Sequence, residues 1–408
     1  MVKMNKQLKN VTGTNLLHAK NHNRRAVLDA VRRHDGLSRA DITRITSLSA
    51  QTISNLVGEL EESGLLLAGE PIRQKRGQPA RPYRLNPDGG YALGFQLTGT
   101  QFDAVLVNLL GEERSRLSQH FDHPDPQHAI ELLVAATNRI IADAGLDPDR
   151  NIGIGIAMPG PVGIAGPTGI APGWEDFDIA TAMAEMAGCP VFVENDADAA
   201  AVSEKLYGNA RTLENFVYIF IGYGLGAGLF MDGHIIHGAN GAAGEIGHLP
   251  VEPDGRDCTC GRKGCLECYV SLLALYREFD ATDRNNLLND KTLSRLGELS
   301  PDDRPVARWI KRAAPHLSTT LQVLGSMLDP QAVILGGLLP APILDALLKE
   351  LSELENAAGS KTPLGEALPI HSGAGNTLSA AMGAAALPIY QEMVPDFQNM
   401  LKIRDPKS

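Results

Sequence analysis

A change in charge and sequence pattern near residue 90 divides this chain into two parts that must fold separately. Residues 1–90 carry 15 lysines and arginines against 8 acidic residues, whereas residues 91–408 carry 22 against 40. A basic segment attached to an acidic body indicates that only the first part meets nucleic acid. A basic tail that merely faces solvent would give the same counts. The pattern of predicted helices and strands must therefore decide between a DNA-binding domain and such a tail. At 408 residues the chain has room for two or three domains.

The overall composition is that of a water-soluble protein. Hydrophobic residues make up 43% of the chain and charged residues 21%. No run of 18 apolar residues occurs, so no membrane span is predicted. The basic N-terminus lacks the apolar segment of a signal peptide. We therefore expect a cytoplasmic protein.

Three short helices are predicted in the basic part, over residues 23–33, 39–45 and 49–63. Ser38 and Asp41 stand in capping-box spacing at the start of the second helix. The third helix has four apolar residues at i, i+3, i+4 and i+7, a stripe that must be buried: Ile53, Leu56, Val57 and Leu60. Its other face carries short polar side chains, which suit base edges and phosphates in a major groove.

A strand, a basic loop and a second strand follow, over residues 65–67, 73–82 and 83–85. The loop contains an Arg-Gly-x-Pro segment, and such a segment can lie in the negative minor groove. Helices alone would also fit a protein-interaction domain, but helices with a basic wing predict a winged helix-turn-helix DNA-binding domain with linker over residues 1–86. Two-fold symmetric DNA sites usually call for a dimer. The side chains expected at the DNA are Arg39, Ser49, Gln51, Thr52, Ser54, Asn55, Arg76 and Gln78.

Beyond residues 86–90, which we expect to form a hinge, strands alternate with helices, as in a wound α/β sheet. Strands are predicted over residues 91–97, 102–109, 152–157, 191–193, 216–221, 226–231 and 332–335, with a helix over residues 130–141. Polar residues follow the strand ends, where ligand sites of α/β sheets lie. Carboxylates there can accept charge-assisted hydrogen bonds from sugar hydroxyls. Taken one at a time, these polar residues have simpler explanations. Asp196 could cap a helix, and Glu267 could be a solvated helix residue.

Cysteine spacing gives the sharpest chemical signal. His248 is followed by Cys258, Cys260 and Cys265, while Cys189 and Cys268 stand apart. In a reducing compartment such a cluster indicates a metal rather than disulfides. A Cys3His set is typical of structural, tetrahedral zinc, and its soft thiolates favour zinc over magnesium or calcium. The alternative is a glycine-rich loop with three unligated thiols.

Four segments of the chain resemble the ROK family of repressors, open reading frames and kinases. They are Glu194-Asn195-Asp196-Ala197, the glycine run at 222, 224, 226 and 228, Gly244–His248, and Cys258-x-Cys260 continuing to Glu267. The head is similar to that of the family's repressor branch, which includes glucose, N-acetylglucosamine and xylose-operon repressors. The resemblance covers about residues 15–390.

This resemblance implies a two-lobed, actin-like ATPase fold of the sugar-kinase type, with a sugar in its cleft and assembly into dimers or tetramers. The first lobe would span residues 87–205, the second lobe with the zinc site residues 206–375, and a C-terminal helix returning to the first lobe, with the tail, residues 376–408. The family's sugar contacts fall on Gly160, Asn195, Asp196, Glu245, His248 and Glu267. Its zinc ligands fall on His248, Cys258, Cys260 and Cys265.

Departures from the family pattern bear on catalysis. Family kinases open with Asp-x-Gly-Gly-Thr, where this chain has Gln96-Leu97-Thr98-Gly99-Thr100. Gln96 offers Mg²⁺ no charge, Thr98 adds a Cβ where phosphate needs close backbone approach, and Tyr223 replaces a small residue in the second glycine-rich turn. Because phosphoryl transfer depends on positioning and charge neutralisation, we expect this chain to have no kinase activity. Asp196 stands at the position of the catalytic base of family kinases, and here it would be a vestige of that role. Asp198 also replaces the Asn usual in the family, with no predicted consequence.

Three functions stay open at this point. The first is a sugar-responsive repressor of carbohydrate uptake or catabolism genes, whose effector is a free or phosphorylated sugar. The second is an active ATP-dependent sugar kinase with an appended DNA-binding head. In the third, which is compatible with the first, a signalling protein rather than a free sugar controls the regulator.

Overall fold

The computed structural model describes most of the chain, namely residues 16–72, 80–98, 101–121, 125–160, 174, 177–279, 296–358, 368–373 and 378–395. The chain forms two compact units. One consists of Met1–Gly90, Asn108–Leu110 and Ile389–Ser408, and the other of Tyr91–Val107 and Gly111–Pro388. Among the described residues, no helix has both the length and the apolar character needed to cross a membrane.

Three helices form the head of the first unit: α1 (Leu16–Arg33), α2 (Arg39–Thr46) and α3 (Ala50–Glu62). Helix α1 starts seven residues before the predicted Asn23. The predicted capping box is confirmed, because the Ser38 side chain accepts from the Asp41 amide and Asp41 accepts from the Ser38 amide. The apolar stripe of α3 is buried as expected. These contacts turn the polar face of α3 outward.

The predicted wing is a two-stranded antiparallel hairpin, β1 (Leu66–Ala68) and β2 (Tyr83–Leu85). A further bridge joins Ile72 to Ala80. Arg76 and Gln78 lie outside the described residues. The residues expected to form a hinge, 86–90, contact the head. The Asn86 side chain donates to the Gly64 carbonyl at 2.7 Å, and a Cβ on Gly89 would lie 2.5 Å from that oxygen.

The end of the chain also belongs to the first unit. Glu392, near the end of the last helix, forms an ion pair with Arg24 of α1. Met393 and Val394 beside it are buried. Residues 389–395 are therefore a structural part of the unit that holds the three-helix head.

Two five-stranded sheets form the second unit. The first has the order β5-β4-β3-β6-β7, and the second β10-β9-β8-β11-β12. Parallel pairs β3–β6, β6–β7, β8–β11 and β11–β12 are combined with antiparallel edge strands. The strands of the first sheet are β3 (Tyr91–Leu97), β4 (Gln101–Asn108), β5 (Glu113–His120), β6 (Asn151–Met158) and β7 (Val191–Asn195). Those of the second are β8 (Phe216–Ile221), β9 (Leu225–Met231), β10 (His234–Ile235), β11 (Ala332–Gly337) and β12 (Ile370–Ser372).

Helices cover these sheets, and the chain order alternates strands with helices as predicted. They are α4 (Pro126–Ala144), α5 (Ile179–Ala187), α6 (Asp196–Leu206), α7 (Glu267–Val270), α8 (Leu272–Tyr276), α9 (Arg304–Leu328), α10 (Ala341–Ala358) and α11 (Ser379–Met393). Helix α11 lies so close to the first sheet that a Cβ on Gly155 would be 1.8 Å from the Ala384 carbonyl oxygen. The first sheet buries an apolar cluster that includes Phe95, Phe102, Ile130 and Leu133.

Candidate functional site

A cleft of about 530 Å³ lies in the second unit, where the carboxyl ends of strands from both sheets meet. All six residues predicted to contact sugar line it: Gly160, Asn195, Asp196, Glu245, His248 and Glu267. Thr259 and Arg277, which the sequence did not single out, line it too. The position of Thr259 between two predicted metal ligands was the signal that could have identified it.

Asn195 connects the ends of two adjacent strands at the floor of this cleft. It caps α6 by accepting from the Ala197 amide at 2.8 Å, and its Nδ2 donates to the Gly160 carbonyl at 3.0 Å. Gly160 has φ = +86°, a conformation that favours glycine. The side chain of Asn195 therefore fixes the polar edge on which Asp196 stands.

The carboxylates of the cleft are crowded and partly desolvated. Burial, reinforced by the charge of Glu245, raises the pKa of Asp196 to about 6. Burial also raises the pKa of Glu245, against the opposing effect of His248 and with a further increase from Glu267. Desolvated carboxylates gain most from hydroxyl groups that donate to them. This edge of the cleft is suited to a polyhydroxylated ligand.

His248 faces two environments. Its Nδ1 lies 3.5 Å from Cys258 Sγ and 3.6 Å from Glu267 Oε1, whereas its Nε2 lies 3.8 Å from Glu245 Oε2. One ring nitrogen therefore lies beside the cysteines and the other beside a carboxylate of the cleft. The cleft and the cysteine cluster therefore share the His248 side chain.

The donor atoms of His248, Cys258, Cys260 and Cys265 lie within 4.8 Å of one another. The Cys258–Arg262 turn brings the thiols together, with the Cys258 amide donating to the Arg262 carbonyl and the Gly261 amide to the Cys258 carbonyl. The backbone N–H of Arg262 lowers the pKa of Cys260 to about 6, which favours its thiolate. Cys268 instead has its thiol near the Asp257 carbonyl. A compact set of three sulfurs and one imidazole fits a tetrahedral metal.

The cleft is also lined by the residues that depart from the family's kinase pattern. Gln96 is buried on β3 and lines the cleft together with Thr98 and Tyr223. The Thr98 hydroxyl donates to the Gln101 carbonyl and accepts from the Gln101 amide, so it closes the β3–β4 turn. Gly99 and Thr100 lie outside the described residues. An amide, a threonine hydroxyl and a phenol therefore line this part of the cleft.

The head presents a polar surface on α2 and α3. Four of the side chains predicted to contact DNA are exposed and two are half-buried: Arg39, Ser49, Gln51 and Asn55, then Thr52 and Ser54. Arg39 lies over the Tyr83 ring at 5.4 Å and donates to Ser54 Oγ at 3.3 Å. Ser49 caps α3 by accepting from the Thr52 amide. The Gln51 amide donates to Asn55 Oδ1 at 3.0 Å. These contacts arrange polar groups along the start of α3.

Both parts of the chain are similar to known proteins. The sequence profile described as the ROK family matches residues 92–390, and the profile described as the MarR family matches residues 23–77. The xylose repressor of Bacillus subtilis (strain 168) is 27% identical over 321 residues, which cover 77% of this chain and 81% of that protein.

Solved structures show the same fold. The crystal structure of a ROK family transcriptional regulator, a homologue of the E. coli MLC protein, matches with a TM-score of 0.72 at 23% identity, over 94% of this chain and 99% of that one. A ROK family glucokinase from Streptomyces griseus, in complex with glucose and AMPPNP, matches with a TM-score of 0.58 at 26% identity, over 73% of this chain and 99% of that one. The architecture is thus a helix-turn-helix head followed by the sugar-kinase fold.

Proposed function

The chain belongs to the ROK family, and from that premise we propose that it is a sugar-responsive transcriptional repressor of carbohydrate uptake or catabolism genes. The observation that carries the proposal is a single chain with a MarR-like head and a kinase-type cleft lined by Gln96, Thr98 and Tyr223, the residues that depart from the family's kinase pattern. The similarity to the xylose repressor supports it. The kinase fold serves as a sensor and has no catalytic role.

Operator DNA is contacted by the polar start of α3 and by the wing. Gln51 and Asn55 are exposed and carry amides, which can pair with base edges in a major groove. Arg39, exposed at the first turn of α2, supplies a phosphate contact. Arg76 and Gln78, which lie outside the described residues, are the proposed contacts with the minor groove. A homodimer or tetramer places two heads on a two-fold symmetric site.

A sugar or sugar phosphate binds in the cleft. Asp196, Glu245 and Glu267 accept from its hydroxyls, while Gly160, Asn195 and His248 complete the site. The Streptomyces griseus glucokinase, of the same fold, was solved with glucose bound, which supports a sugar as ligand. The sugar changes operator affinity because it binds one conformer of the regulator more tightly than the other. Coupling of this kind typically amounts to about 1–3 kcal/mol.

Zinc in the Cys3His set supports this cleft. His248, Cys258, Cys260 and Cys265 form a fully protein-ligated set, which is typical of structural rather than catalytic zinc. When bound, the metal supplies a rigid cross-link within the 248–265 segment. Its ligand His248 carries the second ring nitrogen that faces Glu245. Sugar affinity therefore depends on the metal.

Active sugar phosphorylation is the alternative function, since the fold is shared with kinases. It needs an organised Mg²⁺ and a cradle for phosphates. Gln96 is neutral, and Thr98 has a side chain where close backbone approach is required. Kinase activity is therefore the second candidate function, after the repressor.

The deciding experiment measures operator binding and ligand binding with the same full-length protein. DNA sequences are first selected from a random library, and affinity for the selected site is followed by fluorescence anisotropy. A thermal-shift screen then tests monosaccharides, their 6-phosphates and ATP with Mg²⁺. A ligand at about 100 times its dissociation constant adds roughly 2.7 kcal/mol of stability.

One sugar that stabilises the protein and lowers operator affinity, with no shift from ATP, is the expected result. Stabilisation by ATP and sugar turnover would replace the repressor with the kinase. DNA binding that responds to no sugar or sugar phosphate would point to a protein as the signal.

A further inference from the structure

Three side chains form a second polar cluster that is separate from the Cys3His set. A carboxylate oxygen of Glu194, a carboxylate oxygen of Asp198 and a ring nitrogen of His237 lie within 4.8 Å of one another. Glu194 is near the end of β7, Asp198 lies in the first turn of α6, and His237 follows β10. His237 Nε2 lies 2.8 Å from Glu194 Oε1. Three segments of the chain thus bring two carboxylate oxygens and an imidazole nitrogen, all of which can bind a metal ion, close together.

Asp198 is the unusual member of this cluster. It is only 7% exposed, and its Oδ1 is buried without a hydrogen-bond partner. A buried carboxylate that lacks partners is costly, so it is ordinarily paired, neutralised or bound to a metal. A carboxyl group in this condition, beside a second carboxylate and an imidazole, points to a cation as the missing partner.

The charges around Asp198 agree with this requirement. Burial, reinforced by the charges of Glu194, Asp196 and Glu245, raises the pKa of Asp198 to about 8. Among the described residues, His237 is the group that opposes them. A carboxyl group with this pKa holds a proton near neutral pH. A divalent cation would take the place of that proton and satisfy the Asp198 carboxylate.

We propose that Glu194, Asp198 and His237 bind a divalent transition-metal ion, with Mn²⁺ as the representative case. One imidazole with two carboxylates is a borderline-to-hard donor set, unlike the thiolates of the Cys3His set. The His237 side chain is 47% exposed and that of Glu194 is 22% exposed. Solvent therefore has access on this side, and water can complete the coordination.

The ion would stiffen segments that carry cleft residues. Glu194 directly precedes Asn195 and Asp196, and the His237 carbonyl accepts from the Ala243 amide in the loop that leads to Glu245. Joining Glu194 to His237 through a metal links the two segments on which Asp196 and Glu245 stand. The binding of the ion itself does not depend on the proposed repressor function, so either can fail without the other.

The test uses the full-length, zinc-loaded protein titrated with Mn²⁺ in excess Mg²⁺, with free Mn²⁺ measured by electron paramagnetic resonance. Excess Mg²⁺ occupies sites made only of oxygen, whereas an imidazole ligand favours Mn²⁺. The thiolate set keeps its zinc because it prefers the softer metal. The expected result is one Mn²⁺ bound per protomer, with an unchanged zinc content.

Two variants assign the site. Asp198→Asn and His237→Gln should each weaken Mn²⁺ binding at least tenfold, while His234→Gln, three residues before His237, should bind like the wild type. Without Mn²⁺, Asp198→Asn should unfold at the same or a higher temperature than the wild type, since it removes a buried carboxyl group whose ionised form is disfavoured. Added Mn²⁺ should raise the unfolding temperature of the wild type and leave that of Asp198→Asn unchanged.

Failure of the wild type to bind Mn²⁺ under these conditions would overturn the proposal. So would binding that survives in both variants, because the ion would then lie elsewhere. If Asp198→Asn does not fold, judged by its zinc content and circular dichroism, the exposed position of His237 makes His237→Gln the deciding variant.

Discussion

His248 Nδ1 lies 3.5 Å from Cys258 Sγ, on the side of the ring opposite the nitrogen that faces Glu245. A metal held by the cysteines would fix this ring, and through it one wall of the cleft. The arrangement predicts that metal content and sugar affinity change together.

Cys260→Ser should therefore lose the metal and bind sugar at least about tenfold more weakly, or about 1.4 kcal/mol. The physical reason is that a three-ligand remnant no longer holds the His248 ring in place. Zinc content by mass spectrometry and sugar affinity by calorimetry measure the two effects. Cys189→Ser is the matched control, because Cys189 lies outside the cluster. Full zinc occupancy in Cys260→Ser would show that the ligand set is wrong.

Glu267→Gln should impair the response to sugar and leave operator binding intact. Glu267 lines the cleft, where its carboxylate can accept from sugar hydroxyls, and it also accepts from the Cys258 thiol at 2.9 Å. Losing one charge-assisted bond costs about 1.5–3 kcal/mol of sugar binding. Glu252→Gln provides the control, since Glu252 pairs with His316 instead of lining the cleft. Loss of DNA binding in Glu267→Gln would indicate misfolding.

Local patterns in the sequence were sufficient to predict the head and most strands. The i, i+3, i+4, i+7 stripe of α3 and the Ser38 capping box depend on neighbours in the chain, and both are confirmed. The extended strands over residues 91–97 and 216–221 were equally clear. The cysteine cluster was visible because its members lie within 18 residues of one another.

Other elements were missed for different reasons. Strand β5 is an edge strand with exposed charged residues, so it lacks the apolar pattern of a buried strand. Helix α9 has a clear stripe, with Val306, Trp309, Ile310 and Ala313 buried, and periodicity could have found it. The cluster of Glu194, Asp198 and His237 could not be foreseen, because tertiary packing brings His237 to residues about 40 positions earlier.

Two variants of the head should distinguish recognition of DNA bases from charge-dependent contacts with DNA phosphates. Gln51→Ala removes a neutral amide, so we expect relaxed base preference, by about 1–3 kcal/mol at one position, with an unchanged salt dependence. Arg39→Ala removes a cation and should lower the slope of log K against log salt by about 1. Anisotropy titrations at several salt concentrations measure both. Equal slopes for Arg39→Ala and the wild type would remove Arg39 from the phosphate contacts.

ATP with Mg²⁺ should neither stabilise the protein nor produce a sugar phosphate. By the family resemblance, Gln96 and Thr98 replace residues with which kinases organise Mg²⁺ and cradle phosphate, and both line the cleft together with Tyr223. A coupled nucleotide assay across the monosaccharide panel measures turnover. Turnover that disappears in Asp196→Asn would establish a working catalytic base and contradict the prediction.

Close packing of α11 against the first sheet predicts a large effect at Gly155. An added Cβ there would lie 1.8 Å from the Ala384 carbonyl oxygen and 3.1 Å from Ala384 Cα, so backbone must move. Gly155→Ala should therefore lower the free energy of unfolding of the second unit by about 3 kcal/mol, the upper part of the usual range for overpacking. Gly297→Ala is the matched control, because a Cβ at Gly297 meets no atom within 4 Å and should change stability by less than about 0.5 kcal/mol. Urea unfolding followed by fluorescence measures both variants. Equal stability of the two would mean that helix and sheet can separate at little cost, and that the close approach does not stabilise the fold.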